Sequence, residues 1–118
     1  MARKIGVSDV TTRIVTRRPP ILMLIAGATG VGKSTTAVNV ASHHSFARLI
    51  STDAIREIMR VCDSEHSAAL HRSSFSRGTA GDAVIDWQDT CKAVEPGILA
   101  TIERAHREGI DLILEGVH

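Results

Sequence analysis

Apolar and polar positions change rhythm several times along this chain, and each change predicts an element. Ile21-Leu22-Met23-Leu24-Ile25-Ala26 is an unbroken apolar run, preceded by Arg17-Arg18-Pro19-Pro20 and ended by Gly27. Proline disfavours helix at and before its own position, so the run predicts a strand. Its lack of alternation predicts cover on both faces, as in a parallel sheet. Residues 33–43 predict a helix whose buried side carries Ala37, Val38, Val40 and Ala41. Residues 47–51 predict a second short strand, and Ser51 or Thr52 is placed to cap the helix that follows. In that helix Ile55, Ile58, Met59 and Cys62 recur at helical spacing. Residues 63–82, polar and rich in Ser and Gly, predict a loop with one short helix. Beyond it Val84, Trp87, Cys91, Val94, Ile98, Ile102 and Ala105 step by three or four, the spacing of one long amphipathic helix. Pro96-Gly97 predicts a kink or break in it, and Gly109 its C-cap. Residues 111–116 predict a third buried strand that carries a carboxylate, Glu115, at its end.

Apolar strands alternating with helices imply right-handed crossovers and an α/β fold with a parallel sheet. Three strands leave two open sheet edges, which favours self-association as a homo-oligomer. Folds of this class place ligands at the carboxyl ends of strands, and the sequence ends just past one. The expectation is the N-terminal part of a longer domain, with residues 1–20 a basic arm and residues 21–118 the folded body.

Composition narrows the function classes. At 118 residues the chain is one domain at most. Lys+Arg 14 against Asp+Glu 13 leave a formal net charge of +1. That excludes the broad positive footprint of a non-specific nucleic-acid binder, though not a local basic cleft. Aromatic residues are 3%, so platforms for stacking bases are scarce and the core must be aliphatic. No apolar run approaches the roughly 20 residues that span a bilayer, so no membrane partner is expected. Cys62 and Cys91 fit no CxxC pattern and read as reduced, partly buried thiols of a cytoplasmic protein. The histidines sit in no HExxH or Cys/His frame, so no structural metal site is assigned. The first 20 residues carry Arg3, Lys4, Arg13, Arg17 and Arg18 but lack the apolar core of a secretory signal. A solvated arm is expected there.

Gly27-Ala28-Thr29-Gly30-Val31-Gly32-Lys33-Ser34 matches GxxxxGK[ST] at every required position, between a strand and a helix. Glycines let the backbone turn tightly and aim successive N–H groups at an anion. The helix N-terminus adds partial positive charge. Lys33 would reach the β- and γ-phosphates, Ser34 supplies a hard oxygen for Mg²⁺, and Thr35 supports the helix start. ATP and Mg²⁺ are the cofactors this motif implies.

The acceptor side is read from later residues. Asp53 and Arg56 are three apart and share a helical face. The carboxylate could orient or deprotonate an attacking hydroxyl, and the arginine could hold an anionic acceptor. The plain alternative is a helix-start acid in a surface pair. Arg72, with the hydroxyls of Ser73 and Ser74, could grip a second phosphate or carboxylate, with Arg77 a weaker candidate and His71 a possible proton carrier. A solvated loop is the alternative there. Glu115 stands where an acid that organises Mg²⁺ is found, and Gly116 permits close approach. His118, last in the sequence, is expected to fray.

Together these residues resemble 2-phosphoglycerate kinase and its P-loop relatives over about residues 21–118. The likeness rests on GATGVGKST at 27–35, ISTDAIREIMR at 50–60, LHRSSF at 70–75 and LILEGVH at 112–118. The loop is common to a very large superfamily, and the later segments are more specific. The resemblance implies a three-layer, kinase-type P-loop fold. It implies transfer of the ATP γ-phosphoryl to the 3-hydroxyl of 2-phosphoglycerate, giving 2,3-bisphosphoglycerate. Lys33 and Ser34 would be phosphate and Mg²⁺ ligands, Asp53 would orient the hydroxyl, Arg56 and Arg72 would hold the acceptor, and Glu115 would organise the metal shell. The lid arginine and adenine-binding loop that such kinases draw from later strands have no counterpart up to His118. The Asp-x-x-Arg after the second strand also looks like that of polynucleotide 5′-kinases. A non-catalytic ATP-binding module is a further alternative. A GTPase switch is disfavoured by the lack of NKxD and of DxxG after the third strand.

Overall fold

The computed structural model describes residues 18–73 and 76–118. In chain order the elements are β1 (Leu22–Ala26), α1 (Lys33–His44), β2 (Arg48–Ser51), α2 (Thr52–Cys62), α3 (Ala68–His71), α4 (Ala83–Glu108) and β3 (Leu112–Gly116). The three strands form one parallel sheet in the order β1-β3-β2. The last strand is therefore the central one, and all five of its residues are buried. Of the basic arm only Arg18, Pro19 and Pro20 lie within the described residues. Arg18 forms a two-point ion pair with Asp111 at 2.9 and 2.5 Å, so this end of the arm is tied to the sheet.

Alternation along β3 divides the molecule into layers. Leu112 and Leu114 join Ile55, Leu70, Val94 and Ala105 in the core, with Ile50, Met59, Ile98 and Ile102 against them. That is the face covered by α2, α3 and α4. Ile113 points to the other face, where α1 lies across the strands with Ala37 completely buried.

Four expectations need correction. In α1 Ala37 alone of the predicted buried side is fully buried, and Val38 is 57% exposed. The first strand is not covered on both faces: Leu24 is 66% exposed and Leu22 43%. With β3 in the middle, β1 has a neighbour on one side only, and the helices over Leu112 and Leu114 stop short of it. Pro96-Gly97 does not break the long helix, which runs unbroken from Ala83 to Glu108. Proline forfeits one backbone hydrogen bond, but Gly97 lets α2 approach closely. A Cβ at Gly97 would come within 2.6 Å of both Ile55 and Met59. Finally, the buried stripe of α4 begins on Asp86, Thr90 and Val94, while Val84 and Trp87 remain exposed. Gly109 ends the helix as expected, in the left-handed conformation with its N–H bonded to Ala105 and His106 carbonyls.

Of the two thiols, Cys62 is exposed and Cys91 half-buried, both unpaired. Among the described residues no helix is long and apolar enough to cross a membrane.

Candidate functional site

The carboxyl ends of the three parallel strands form one rim. Loop 27–32 leaves β1, Thr52 and Asp53 follow β2, and Val117 and His118 follow β3. The predicted phosphate loop, the Asp53–Arg56 pair and Glu115 all belong to this rim.

Gly30 and Gly32 have φ of +82° and +89°, a region that only glycine enters at little cost. A side chain at either would meet nothing within 4 Å, so the backbone turn, not crowding, requires glycine there. Gly32 is also the N-cap of α1. It offers no side chain to the first N–H groups of the helix, and the first turn holds no acid. The other two long helices are capped. Ser51 Oγ accepts from the N–H groups of Asp53 and Ala54 at 3.1 and 3.4 Å. Asp82 Oδ1 accepts from those of Val84 and Ile85 at 2.8 and 3.2 Å. Helix-start donors need partners, and α1 is built so that an anion in the loop would supply them. Lys33 Nζ donates to the Ala28 carbonyl at 2.7 Å, folding the ammonium back over the loop. Its other two donors can serve phosphate oxygens. Ala28, Thr29 and Val31 lie exposed in the loop, and Thr35 lies exposed in the first turn of α1.

At the helix end of the loop Ser34 Oγ donates to Glu115 Oε1 at 3.3 Å, across 81 positions of sequence. The register Ile25↔Glu115 places that acid beside the last residues of β1, on the α1 face of the sheet. Mg²⁺ takes one or two protein oxygens and completes its octahedron with water and substrate phosphates. A hydroxyl and a carboxylate side by side fit that donor set. Among the described residues there is no cluster of three or more His, Cys, Asp or Glu that could hold a metal by itself.

On the acceptor side Arg56 Nη2 pairs with Asp53 Oδ1 at 3.2 Å. The arginine side chain is 13% exposed and the aspartate 54%, so a sheltered cation backs an open carboxylate. His118 does not fray. Its imidazole is fully buried, with Nδ1 3.1 Å from Thr52 Oγ1 and Nε2 3.4 Å from Arg56 Nη1. Burial holds its pKa below the usual histidine value. Arg56 adds to that, Asp53 opposes it, and Arg60 lowers it further. Gly116 makes the arrangement possible, because a Cβ there would land on Thr52 Oγ1.

Arg72 is held by the start of α4. Its Nη2 donates to the Asp86 carbonyl at 2.8 Å, and its buried Nε has no hydrogen-bond partner among the described residues. Asp86 accepts from the Ala80 N–H at 3.1 Å. Its carboxyl lies below the usual range, first because of the Gly78 N–H and then that of Ala80, against the opposing effect of burial. Arg60 closes the end of α3 by donating to the carbonyls of Leu70, His71 and Arg72 at 2.8, 3.2 and 3.3 Å. Helix α2 thus carries Arg56 to the rim and Arg60 to the segment bearing Arg72. His71 is bound to Asp63 at 3.2 Å, at the far end of α2. Ser73 and Arg77 are exposed, while Ser74 and Phe75 lie outside the described residues.

Sequence reasoning did not assign Thr52 or Asp86 to this region, and it put Trp87 in the core. Trp87 Nε1 donates to the Val117 carbonyl at 2.8 Å, joining α4 to the end of β3. A signal for His118 was present. Leu112, Leu114, Gly116 and His118 continue one period-two face, the face that α2 covers.

No family model matches this sequence, and no solved structure matches it. Similar proteins do exist. The chain is 40% identical over 107 residues to the 2-phosphoglycerate kinase of Pyrococcus horikoshii, covering 84% of this chain and 36% of that protein. It is 36% identical over 111 residues to that of Methanothermobacter thermautotrophicus, covering 86% and 36%. With that of Methanopyrus kandleri it is 41% identical over 118 residues, covering 93% and 36%. The chain is homologous to archaeal 2-phosphoglycerate kinases, and it spans little more than a third of their length.

Proposed function

We propose that this homologue of archaeal 2-phosphoglycerate kinases adopts the three-layer, kinase-type P-loop fold over residues 21–118, behind an arm at residues 1–20. In this reading it is a phosphotransferase that moves the ATP γ-phosphoryl to a hydroxyl of a small anionic metabolite. The acceptor named by the relatives is 2-phosphoglycerate, whose product would be 2,3-bisphosphoglycerate. The observation that carries the reading is the 3.3 Å contact of Ser34 with Glu115 beside a glycine loop whose helix has no cap of its own.

The residues take the following roles. Backbone amides of residues 27–35 and the Lys33 ammonium hold the β- and γ-phosphates. Ser34 and Glu115 hold Mg²⁺, which when bound neutralises charge on the phosphates. Asp53 lines up the acceptor hydroxyl, and Arg56 and Arg72 take its phosphate and carboxylate through charge-assisted hydrogen bonds. Catalysis then comes from positioning and charge stabilisation, which phosphoryl transfer mainly requires. The partners are small molecules rather than nucleic acid, in the cytoplasm.

A coupled ADP-release assay tests this. The expected result is release with 2-phosphoglycerate above that with 3-phosphoglycerate, glycerate or a 5′-hydroxyl oligonucleotide. ATP binding without ADP release from any acceptor, in this chain and in a longer product of the same reading frame, would overturn it. Release with the oligonucleotide alone would reassign the acceptor to nucleic acid.

A further inference from the structure

We propose that His118 is a positioning residue of the acceptor side: as its Nδ1–H tautomer it accepts a hydrogen bond from Arg56 and so orients that guanidinium toward the acceptor's anionic group. This deepens the kinase reading and rests on it for the word acceptor, while the tautomer stands on geometry alone.

The ring nitrogens can be assigned from their neighbours. A guanidinium only donates. Nε2, 3.4 Å from Arg56 Nη1, must therefore present its lone pair. The ring proton is then on Nδ1, which donates to Thr52 Oγ1 at 3.1 Å and lies 3.9 Å from Asp53 Oδ1. Arg56 is held at both terminal nitrogens, Nη2 by Asp53 and Nη1 by His118. Two such contacts fix the plane of the fork, and fixed planes are what two-point recognition of phosphate or carboxylate needs. The imidazole is wedged with no exposure beside Thr52, itself 4% exposed, in the space that Gly116 leaves open.

Among the described residues the charged groups that act on the ring are Asp53, Arg56 and Arg60, all from α2. A proton on Nε2 would set an imidazolium against the guanidinium and break the contact. Burial, Arg56 and Arg60 keep the ring neutral to lower pH than usual, against Asp53.

The two amide variants separate the two ring nitrogens. In His118→Gln the amide oxygen reaches the position of Nε2 and can still accept from Arg56. In His118→Asn the shorter amide reaches only the position of Nδ1. Hydrogen bonds to charged groups are strong enough that His118→Asn should raise KM for 2-phosphoglycerate about tenfold or more. KM for ATP and kcat should change by less than about threefold, and His118→Gln should restore the acceptor KM to within about threefold of wild type. In the wild type that KM should rise in acid, and His118→Gln should remove the rise. An unchanged acceptor KM in His118→Asn, or acceptor and ATP KM values moving together, would overturn the inference. If neither this chain nor a longer product of the same reading frame releases ADP with any acceptor, the kinase reading fails and a second readout decides the tautomer. Side-chain ¹⁵N spectra of the full chain should then show a protonated Nδ1 and a bare Nε2 at His118, and a proton on Nε2 would overturn the assignment.

Discussion

Replacing Gly116 with alanine would place a methyl group on Thr52 Oγ1, with Thr52 Cβ 3.0 Å and Cγ2 3.3 Å away. Thr52 cannot swing into solvent, because it is 4% exposed, at the start of α2 and against Gly116 of β3. Overpacking of this kind costs about 1–3 kcal/mol. Displacing Oγ1 also loses the hydrogen bond from His118 Nδ1, about 0.5–1.5 kcal/mol. Gly116→Ala should therefore destabilise the fold by about 2–4 kcal/mol, lowering Tm by roughly 10 °C or more. Urea unfolding followed by the fluorescence of Trp87, the chain's one tryptophan, measures this directly. The indole is bonded to the Val117 carbonyl, next to the substitution. In a Thr52→Ala background the clashing oxygen and methyl are gone, so the cost of Gly116→Ala should fall by at least about 1 kcal/mol. A Gly116→Ala protein within about 0.5 kcal/mol of wild type, or one whose cost is the same in both backgrounds, would refute the steric argument.

Other outcomes follow from the site. Lys33→Ala should abolish phosphoryl transfer and weaken nucleotide binding by calorimetry, whereas Asp53→Asn should leave binding intact and lower kcat about 10²- to 10⁴-fold. Glu115→Gln and Ser34→Ala should each raise the Mg²⁺ concentration needed for half-maximal rate, with little change in ATP affinity measured without metal. Asp86 has a folded-state pKa below its ordinary value, first through the Gly78 N–H. Its contribution to stability is complete above the unfolded value of about 4 and is lost as pH falls through the folded one. Denaturation curves for Asp86→Asn should therefore be flatter with pH below about 4 than those of the wild type.

Local rules served well where structure is locally determined. The strands, the Ser51 cap, the Gly109 stop and the loop's left-handed glycines were all legible in consecutive residues. Burial was harder, since it depends on partners distant in sequence. Ile21–Ala26 reads as a strand covered on both faces, yet strand order puts β1 at an edge, and no periodicity encodes strand order. In α4 the apolar stripe predicted Val84 and Trp87 inside. The fold turns Asp86 inward instead, because the Gly78 and Ala80 amides meet a carboxylate there. Within the site, Asp53 with Arg56 was legible from helical spacing. The contact of Ser34 with Glu115 was expected only through the motif's company. For His118 the period-two face was legible but a terminal position argues for fraying, and its burial comes from Thr52 and the absent side chain of Gly116.

The pairing of β1 with β3, Ile25 opposite Glu115 and Ala26 opposite Gly116, acts as a vernier for the whole rim. Side chains alternate strictly along a strand, so a slip of one position would send Glu115 through the sheet to the α2 face and leave Ser34 opposite a leucine or glycine. His118 would change sides in the same step. Insertions and deletions within 112–116 are thus barred in a way that point changes are not. The described residues of the connection between α3 and α4 belong to no strand, and a loop there can lengthen at an entropic cost that grows only with the logarithm of its length.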